Sequence, residues 1–435
     1  MSSGLSAALG TFVLGVDGYS QRFNGHSQNT ANAGVPTAKK HEMYLYSMVT
    51  QTSSTDFSPG GINATPVAYI GKLGSIRPSV YPTFLALHNS NAFFVVNENT
   101  AGTGNFSVTR LGTFKADANG FLKNSAGKFL YGISTDTSGK EELSTISNFS
   151  QMKAINTKNL SSSAVPTSGI DYSVNFPGNA EFYATDGTEY TIQASVFDSL
   201  GINRIINLTA RRQANDPAYP NSQVWTFTAT SPDATTSGAI SSPYDTGFEI
   251  VFNGSDGSPS LINGGAGLSP MTITWNDTSV AASSITLGIG SVGNTTGLTI
   301  GGTSLIQKNV TSNGKPSGTP DSISFTEDGY GIVNYNNGVQ SKFCRIPIAT
   351  TNNVDGLLEQ TGNSYIQSEA SGSYKIYYPN ENSMGALAPG SLEDSTINTS
   401  EVFTDMIMDS NRYQACLKGV GAVQKLLEAL DRINP

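Results

Sequence analysis

The feature that most constrains this chain is an apolar seam along its last thirty-odd residues. Alternating steps of four and three residues define the seam, and only Asp409 interrupts it. This heptad spacing predicts an α-helix from about Thr399 to Ile433, roughly 45 to 50 Å long at 1.5 Å per residue. Thr399 or Ser400 would cap its start, and Glu401 suits the positive end of the helix dipole. The seam consists of Val402, Met406, Asp409, Tyr413, Cys416, Val420, Val423, Leu427 and Leu430.

A second apolar series at helical spacing lies near the N-terminus and predicts a first helix there. Gly4, Gly10, Gly15 and Gly18 each weaken that helix by about 0.5 to 1 kcal/mol relative to alanine, so we expect it to order mainly on packing. Residues 20 to 50 are expected to follow this helix, with a turn forced by Asn, Gly and Pro. The series is Leu5, Leu9, Phe12, Val13 and Val16.

Two arrangements of these helices are possible. They either form a hairpin that closes one globular domain, or pack between copies of the molecule. Phe403, Ile407 and Leu417 widen the C-terminal stripe beyond what one partner can cover, which favours packing between copies. The residues predicted to make these contacts are Leu5, Leu9, Phe12, Val13, Val16, Val402, Phe403, Met406, Ile407, Tyr413, Leu417, Val420, Val423, Leu427 and Leu430.

The composition of the 435 residues excludes several classes of function. A net charge of -9 argues against nucleic-acid binding, because no basic patch is present to neutralise phosphates. No apolar run approaches the length of a membrane span, and we expect no cleavable signal peptide. With 46 glycines and a middle rich in Ser, Thr and Asn, the chain suits short strands and tight turns.

The sequence contains few candidates for catalytic or metal-binding residues. His26, His41 and His88 are scattered singly, and each is interpreted as a surface or turn residue rather than a metal ligand. Cys344 and Cys416 are interpreted as two buried thiols. We find no G-x-S-x-G motif and no P-loop, and we predict no catalytic residue, cofactor or metal.

Motifs along the chain nevertheless point to a family. The segment 28–40 keeps Asn29, Ala31, Asn32 and Lys39 of the signature N-x-A-N-x-x-T-x-G-Y-K, but has Thr37 and Ala38 where Gly-Tyr is usual. This segment resembles the axial proteins of the bacterial flagellum, the rod and hook subunits. The strand containing Phe93 and Phe94 resembles the G-F-F-x-V strand of that family.

A predicted hairpin extends the resemblance. Arg110, Gly112, Asp117 and Gly120 match the family pattern T-R-x-G-x-F-x-x-D-x-x-G-x-L. Asn119-Gly120 between alternating apolar residues is by itself a strong hairpin signal, because both turn positions tolerate positive φ. The alternative, a calcium loop, lacks further ligands and a terminal Glu, so a turn is favoured.

Later motifs continue in the same order. Asp198 and Gly201 lie in V-F-D-S-L-G, which resembles the hook-subunit hairpin V-Y-D-S-L-G, and Gly338 closes a turn between alternating strands. Arg412 and Gln414 lie in a match to the C-terminal signature M-I-x-x-Q-R-x-Y-Q-A. The G-x-G-x-x-G at residues 288–293 precedes no helix signal and is interpreted as a glycine-rich turn rather than a dinucleotide site.

The resemblance implies a mainly β fold with terminal α-helices of coiled-coil type and nested discontinuous β-domains. The implied segments are 1–70 and 376–435 for the inner helical part, 71–145 and 321–375 for a middle β-domain, and 146–320 for an inserted outer β-domain; whether that insertion is one domain or two stays open. It implies a structural subunit of the flagellar hook, outside the cell, exported through the flagellum and polymerising with itself. The partners it implies are rod, hook-cap and hook-filament junction proteins.

Three other functions stay open. One is a distal-rod type axial protein. Another is a β-rich adhesin or carbohydrate-binding surface protein using exposed aromatics such as Trp225 and Trp275. A secreted β-rich hydrolase is a weaker alternative, which would require two carboxylates converging in one pocket.

Overall fold

The computed structural model describes residues 2–52, 57–136, 139–143, 145–158, 160, 164–182, 187–265, 267–382 and 385–433. The chain divides into two compact units. The first contains Met1–Leu160, Ser322–Val333 and Ser341–Pro435, and the second contains Ser161–Asp321 and Asn334–Gln340. The fold is mainly β with a long helix towards each terminus, which confirms the predicted fold class.

The terminal helices are α1 (Ser2–Asn32) and α2 (Thr399–Ile433). The bounds of α2 agree with those predicted from the heptads. Helix α1 is longer than predicted and continues to Asn32, so its last three turns contain part of the segment expected to follow it. The predicted cap of α2 is wrong: the Asn398 side chain accepts a hydrogen bond from the Ser400 N–H at 3.1 Å, so Asn398 is the N-cap.

A long hairpin follows α1. It pairs β1 (His41–Thr52) with β2 (Phe57–Ala68) in antiparallel register, with His41 opposite Ala68. One face of this hairpin packs on α1, where Leu45 and Ile62 approach Gly18. The sequence analysis predicted no strands here.

The next strands of the first unit are short, and their alternation builds two apolar layers. Phe94 lies in a core cluster with Leu130 and Ile348, whereas its neighbour Phe93 lies in another with Tyr131. The strands are β3 (Ile76–Pro78), β4 (Leu85–Leu87), β5 (Phe93–Asn97), β6 (Ser107–Thr109), β7 (Lys115–Ala116), β8 (Leu122–Lys123), β9 (Phe129–Ser134) and β10 (Lys153–Ala154).

The second unit contains two sheets that share one apolar core. Sheet β12-β13-β14-β15-β16 is antiparallel throughout, whereas β11 pairs in parallel with β18 and β19 and antiparallel with β20. The insertion is therefore one unit. Its strands are β11 (Gly169–Phe176), β12 (Tyr190–Phe197), β13 (Asn203–Arg212), β14 (Ser222–Thr230), β15 (Phe248–Asn253), β16 (Pro259–Ile262), β17 (Met271–Ile273), β18 (Ser283–Gly288), β19 (Leu298–Ile300) and β20 (Ile306–Ser312).

The chain then returns to the first unit. There β24 pairs with β5, β26 with β6, and β28 and β29 with β4 and β3. The returning strands are β21 (Pro320–Phe325), β22 (Tyr330–Tyr335), β23 (Gln340–Arg345), β24 (Ile348–Thr350), β25 (Leu358–Gln360), β26 (Ser364–Ile366), β27 (Lys375–Tyr377), β28 (Leu387–Pro389) and β29 (Ser391–Glu393). Short 3-10 turns are Phe149–Gln151, Asn263–Gly265 and Val354–Gly356.

The observed start of the inserted unit differs from the expected one. The sequence analysis placed the start at residue 146, whereas the unit begins at Ser161 and its main segment ends at Asp321. The residues between belong to the first unit, because β10 pairs there with β9. The division between inner and middle segments, at residues 70 and 375, stays a prediction.

Candidate assembly site on the terminal helices

The terminal helices pack side by side and run in opposite directions. An ideal Cβ at Gly15 would lie 3.0 Å from Cys416 Sγ, and one at Gly419 would lie 2.5 Å from the Phe12 ring. As the numbering rises along α1, the facing positions on α2 fall. The helices approach closely at these two glycines because no side chain separates them.

The predicted seam of α2 is the part of that helix which the chain itself covers. Val402, Asp409 and Val423 are buried, and the other seam positions are half-buried: Met406, Tyr413, Cys416, Val420, Leu427 and Leu430. On α1, the half-buried positions of the predicted series are Leu5, Leu9, Phe12 and Val16. Cys416 is half-buried rather than buried as expected, whereas Cys344 is fully buried, and both thiols are free.

Large apolar side chains that the chain leaves uncovered lie on both sides of this seam. At 3.6 residues per turn, Phe403, Ile407 and Leu417 lie on one side, and Met408 and Leu426 on the other. These five side chains are between 44% and 64% exposed. We call the first set row A and the second row B. On α1, Val13 is also half exposed.

Asp409, the one interruption of the seam, lies in a buried ionic layer. Its carboxylate is 1% exposed, and Oδ2 lies 3.1 Å from Arg22 Nε and 2.9 Å from His26 Nε2, both on α1. Arg412, one turn further along α2, donates to Oδ1 at 3.2 Å. The interpretation of His26 as a surface or turn residue is therefore wrong: it is buried because it pairs with this carboxylate.

A second set of ion pairs lies where α1 and the hairpin join the β-strands. Three consecutive residues each contact a carboxylate from a distant part of the chain: Lys39 Nζ lies 2.7 Å from Glu393, Lys40 Nζ 2.8 Å from Glu401, and His41 Nε2 2.7 Å from Glu359. We call residues 39–41 the basic junction. His41 thus has a carboxylate partner, which the sequence analysis did not foresee.

The carboxylate of Glu393 is shared by two buried cations. Its other oxygen accepts a hydrogen bond from Arg110 Nε at 2.6 Å, and Arg110 also donates to the Ala92 carbonyl at 2.7 Å. Burial lowers the pKa of Lys39, although Glu393 acts in the opposite direction. For His41, the hydrogen bond to Glu359 raises the pKa despite partial burial. The junction therefore holds α1, the hairpin and the returning chain together by charge.

Comparison with known proteins finds relatives that match nearly the whole chain. No family model matches the chain. The chain is 25% identical over 439 residues to the flagellar hook protein FlgE of Brucella abortus, covering 98% of both chains. It is also 25% identical over 434 residues to FlgE of Rhizobium meliloti, again covering 98% of both. The chain is therefore similar to flagellar hook proteins along nearly its whole length.

Two further hook proteins match a smaller part of this chain. FlgE of Caulobacter vibrioides is 34% identical over 138 residues, which cover 32% of this chain and 23% of that one. The crystal structure of Helicobacter pylori FlgE2 matches with a TM-score of 0.43 and 14% identity, covering 73% of this chain and all of that one.

Several of the hook-family motif positions support the basic junction and the terminal helices. The Asn29 side chain pairs with both backbone groups of His41, donating at 2.6 Å and accepting at 2.9 Å. Asn32 ends α1, and Ala31 is exposed beside it. On α2, the side chains of Arg412 and Gln414 are exposed, although Arg412 reaches Asp409.

The other hook-family motif positions serve packing and turns. Phe93 and Phe94 are fully buried, and a Cβ at Gly112 would collide with the Leu85 carbonyl. Asp117 and Asp198 accept hydrogen bonds from backbone N–H groups of their own turns, which agrees with the turn favoured at Asp117. The glycines that close three turns have positive φ: Gly120, Gly201 and Gly338.

The structure argues against the sites that the alternative functions need. Trp225 and Trp275 are buried, so the expectation that they are exposed for carbohydrate binding is wrong. The G-x-G-x-x-G leads into strand β19 and not into a helix. Four surface cavities have volumes of 180 to 530 Å³, and the residues that line each of them include one carboxylate, not the pair that a hydrolase needs. These carboxylates are Asp171, Asp216, Glu359 and Asp117.

Two further features are absent from the described residues. In that part of the chain, no three His, Cys, Asp or Glu side chains are grouped so as to hold a metal ion. Among the same residues, no helix is long and apolar enough to cross a membrane.

Proposed function

We propose that this chain is a structural subunit of the bacterial flagellar hook and that copies of it assemble through rows A and B of the terminal helices. The observation that carries the proposal is that α2 buries its seam within the chain yet leaves large apolar side chains exposed on both sides. Exposed apolar surface of this kind marks an interaction site. The similarity to hook proteins along nearly the whole chain supports the same function.

The assembly mode follows from having two rows. Rows A and B face different directions, so each copy offers two different surfaces to its neighbours. Heterologous contacts that do not close on themselves generate a helical filament. We infer a tube with the terminal helices innermost and the β-units outside, which bends while it transmits torque from the rod to the filament.

The other properties of a hook subunit belong to the same proposal. The chain would act without catalysis, would be located in the hook outside the cell, and would be exported through the flagellum without a cleaved signal peptide. Its partners besides itself would be rod, hook-cap and hook-filament junction proteins.

The experiment is electron microscopy of the purified full-length chain beside a row A variant, Phe403→Ser with Ile407→Ser. We expect tubular polymers from the unaltered chain and at least a tenfold loss of polymer from the variant, because each buried apolar side chain contributes about 1.5 to 3 kcal/mol to a contact.

A matched control separates this effect from loss of the helix. Asn411→Ser with Lys418→Ser changes two exposed polar positions of the same helix and should leave assembly intact. Equal polymer yield from the row A variant and the control would contradict the use of row A as a contact. Failure of the unaltered chain to polymerise with hook-cap protein present would contradict the function itself.

A further inference from the structure

The buried ionic layer interrupts the apolar seam of α2 at Asp409, where that helix packs on α1. Asp409 is 1% exposed, and Arg22 and His26 reach it from the opposite helix. The layer is also imperfect, because the buried Nδ1 of His26 has no hydrogen-bond partner. Since a buried polar group without a partner lowers stability, greater stability alone does not explain the layer.

An apolar heptad seam does not by itself fix which residues face each other. Sliding α2 by seven residues along α1 would bring Asp409 opposite Gly15 or Asn29 instead of Arg22, as judged from the facing pairs Gly15 with Cys416 and Phe12 with Gly419. Either slip would take the carboxylate away from Arg22 and His26 and leave it only Arg412, a half-exposed side chain of α2 itself. The seam of α2, in contrast, repeats every seven residues, so a slip would place most of its apolar positions where other apolar positions of the seam had been.

We propose that the Asp409 layer sets the register of the two terminal helices. A buried polar pair at one seam position can specify register at some loss of stability, as it does in coiled coils. The register determines where rows A and B lie relative to the hairpin and the basic junction. Its consequence for the polymer rests on the proposed function, whereas the register itself is a property of the single chain.

The chain contains its own reporter of that register. A Cβ at position 15 would lie 3.0 Å from Cys416 Sγ and 3.8 Å from Cys416 Cβ, which are distances that a disulfide can span. Gly15→Cys should therefore cross-link to Cys416 in the native register. After the seven-residue slip that brings Asp409 opposite Gly15, position 8 would take that place, so Ala8→Cys reports that slip. Burial raises the pKa of Cys344 to about 12, so this thiol does not compete.

The experiment measures intramolecular cross-linking of the full-length, unpolymerised chain by mass spectrometry after mild oxidation. With Asp409 intact, we expect Gly15→Cys to cross-link at least about tenfold more than Ala8→Cys. With Asp409→Leu added to each reporter, that ratio should fall to about threefold or less, because a leucine continues the seam in either register.

A second variant keeps the test valid if Asp409→Leu disturbs folding by leaving Arg22 and His26 unpaired. Arg22→Leu, His26→Leu and Asp409→Leu together remove the whole layer and should retain the helix content by circular dichroism while the ratio falls. An unchanged ratio would overturn the proposal. So would loss of helix content in both variants, because the layer would then be needed for pairing as such. Failure of the unaltered chain to form tubes would contradict only the proposed function.

Discussion

At the scale of single residues, the charged side chains of this protein join segments that are far apart in the sequence. Glu393 pairs with Lys39 and Arg110, which lie 354 and 283 positions away. Each of these three buried charges has a partner of opposite sign, whereas removing Glu393 would leave two buried cations without a carboxylate. The attachment of the helices to the β-strands therefore depends on a few named ion pairs.

The His41 pair should make that attachment dependent on pH. Because the hydrogen bond to Glu359 raises the pKa of His41 in the folded state, the pair stabilises the fold fully below the unfolded pKa, near 6.5. The contribution is lost as pH rises through the folded pKa. We expect His41→Gln to lower Tm by about 1 to 3 °C at pH 5.5, with the difference shrinking above pH 7.5.

Thermal unfolding of the full-length chain between pH 5.5 and 8.5 tests this expectation. His88→Gln is the matched control for the substitution itself, because His88 is exposed. A difference between wild type and His41→Gln that is constant across this range would show that the histidine acts through packing and not through its charge.

These residue contacts explain what the sequence could not predict. The burial of His26 and the carboxylate partners of Lys39 and His41 depend on residues hundreds of positions away, and local patterns carry no information about such partners. Asp409 was visible as an interruption of the seam, but its partners on α1 were not. The turn residues Asp117 and Asp198 were found because their hydrogen bonds are local.

At the scale of elements, glycines on the helices mark close approaches. The sequence analysis treated the α1 glycines only as weak points, yet a Cβ at Gly18 would lie 2.9 Å from Ile62 of the hairpin, whereas Gly10 has nothing within 4 Å. The bounds of α2 were predicted because heptads are a strong local signal. The hairpin was not, because β2 contains Pro59, Gly60, Gly61 and Pro66, which weaken a strand pattern.

Two glycines on α2 provide a direct test of this view. Gly419 faces the Phe12 ring, whereas Gly421 has nothing within 4 Å. Gly421→Ala should stabilise the helix pair by about 0.5 to 1 kcal/mol through helix propensity. Gly419→Ala should lower the stability, because the Phe12 ring would have to move and its packing against α2 would be lost. Thermal melts followed by the helical circular dichroism signal measure both, and equal stabilisation by the two alanines would contradict the close approach.

At the scale of the whole molecule, internal packing and the proposed assembly use different surfaces of α2. The seam between α1 and α2 is satisfied within one chain, and the basic junction fastens this pair to the strands of the first unit. What remains exposed on α2 is then available to other copies. A chain that buried all its apolar helix surface internally would be a stable monomer with no apolar surface left for growth.

Two different exposed rows predict that a chain defective in one row acts as a terminator. Such a chain still joins a growing polymer through its intact row, but it offers the next copy a defective surface. The row B variant, Met408→Ser with Leu426→Ser, mixed at about one part in ten with wild-type chain, should therefore shorten the tubes several-fold in electron micrographs. The row A variant should do the same from the opposite surface. A variant that is excluded from the polymer would reduce the amount of polymer in proportion to its share and leave tube length unchanged. That result would show that rows A and B form a single contact.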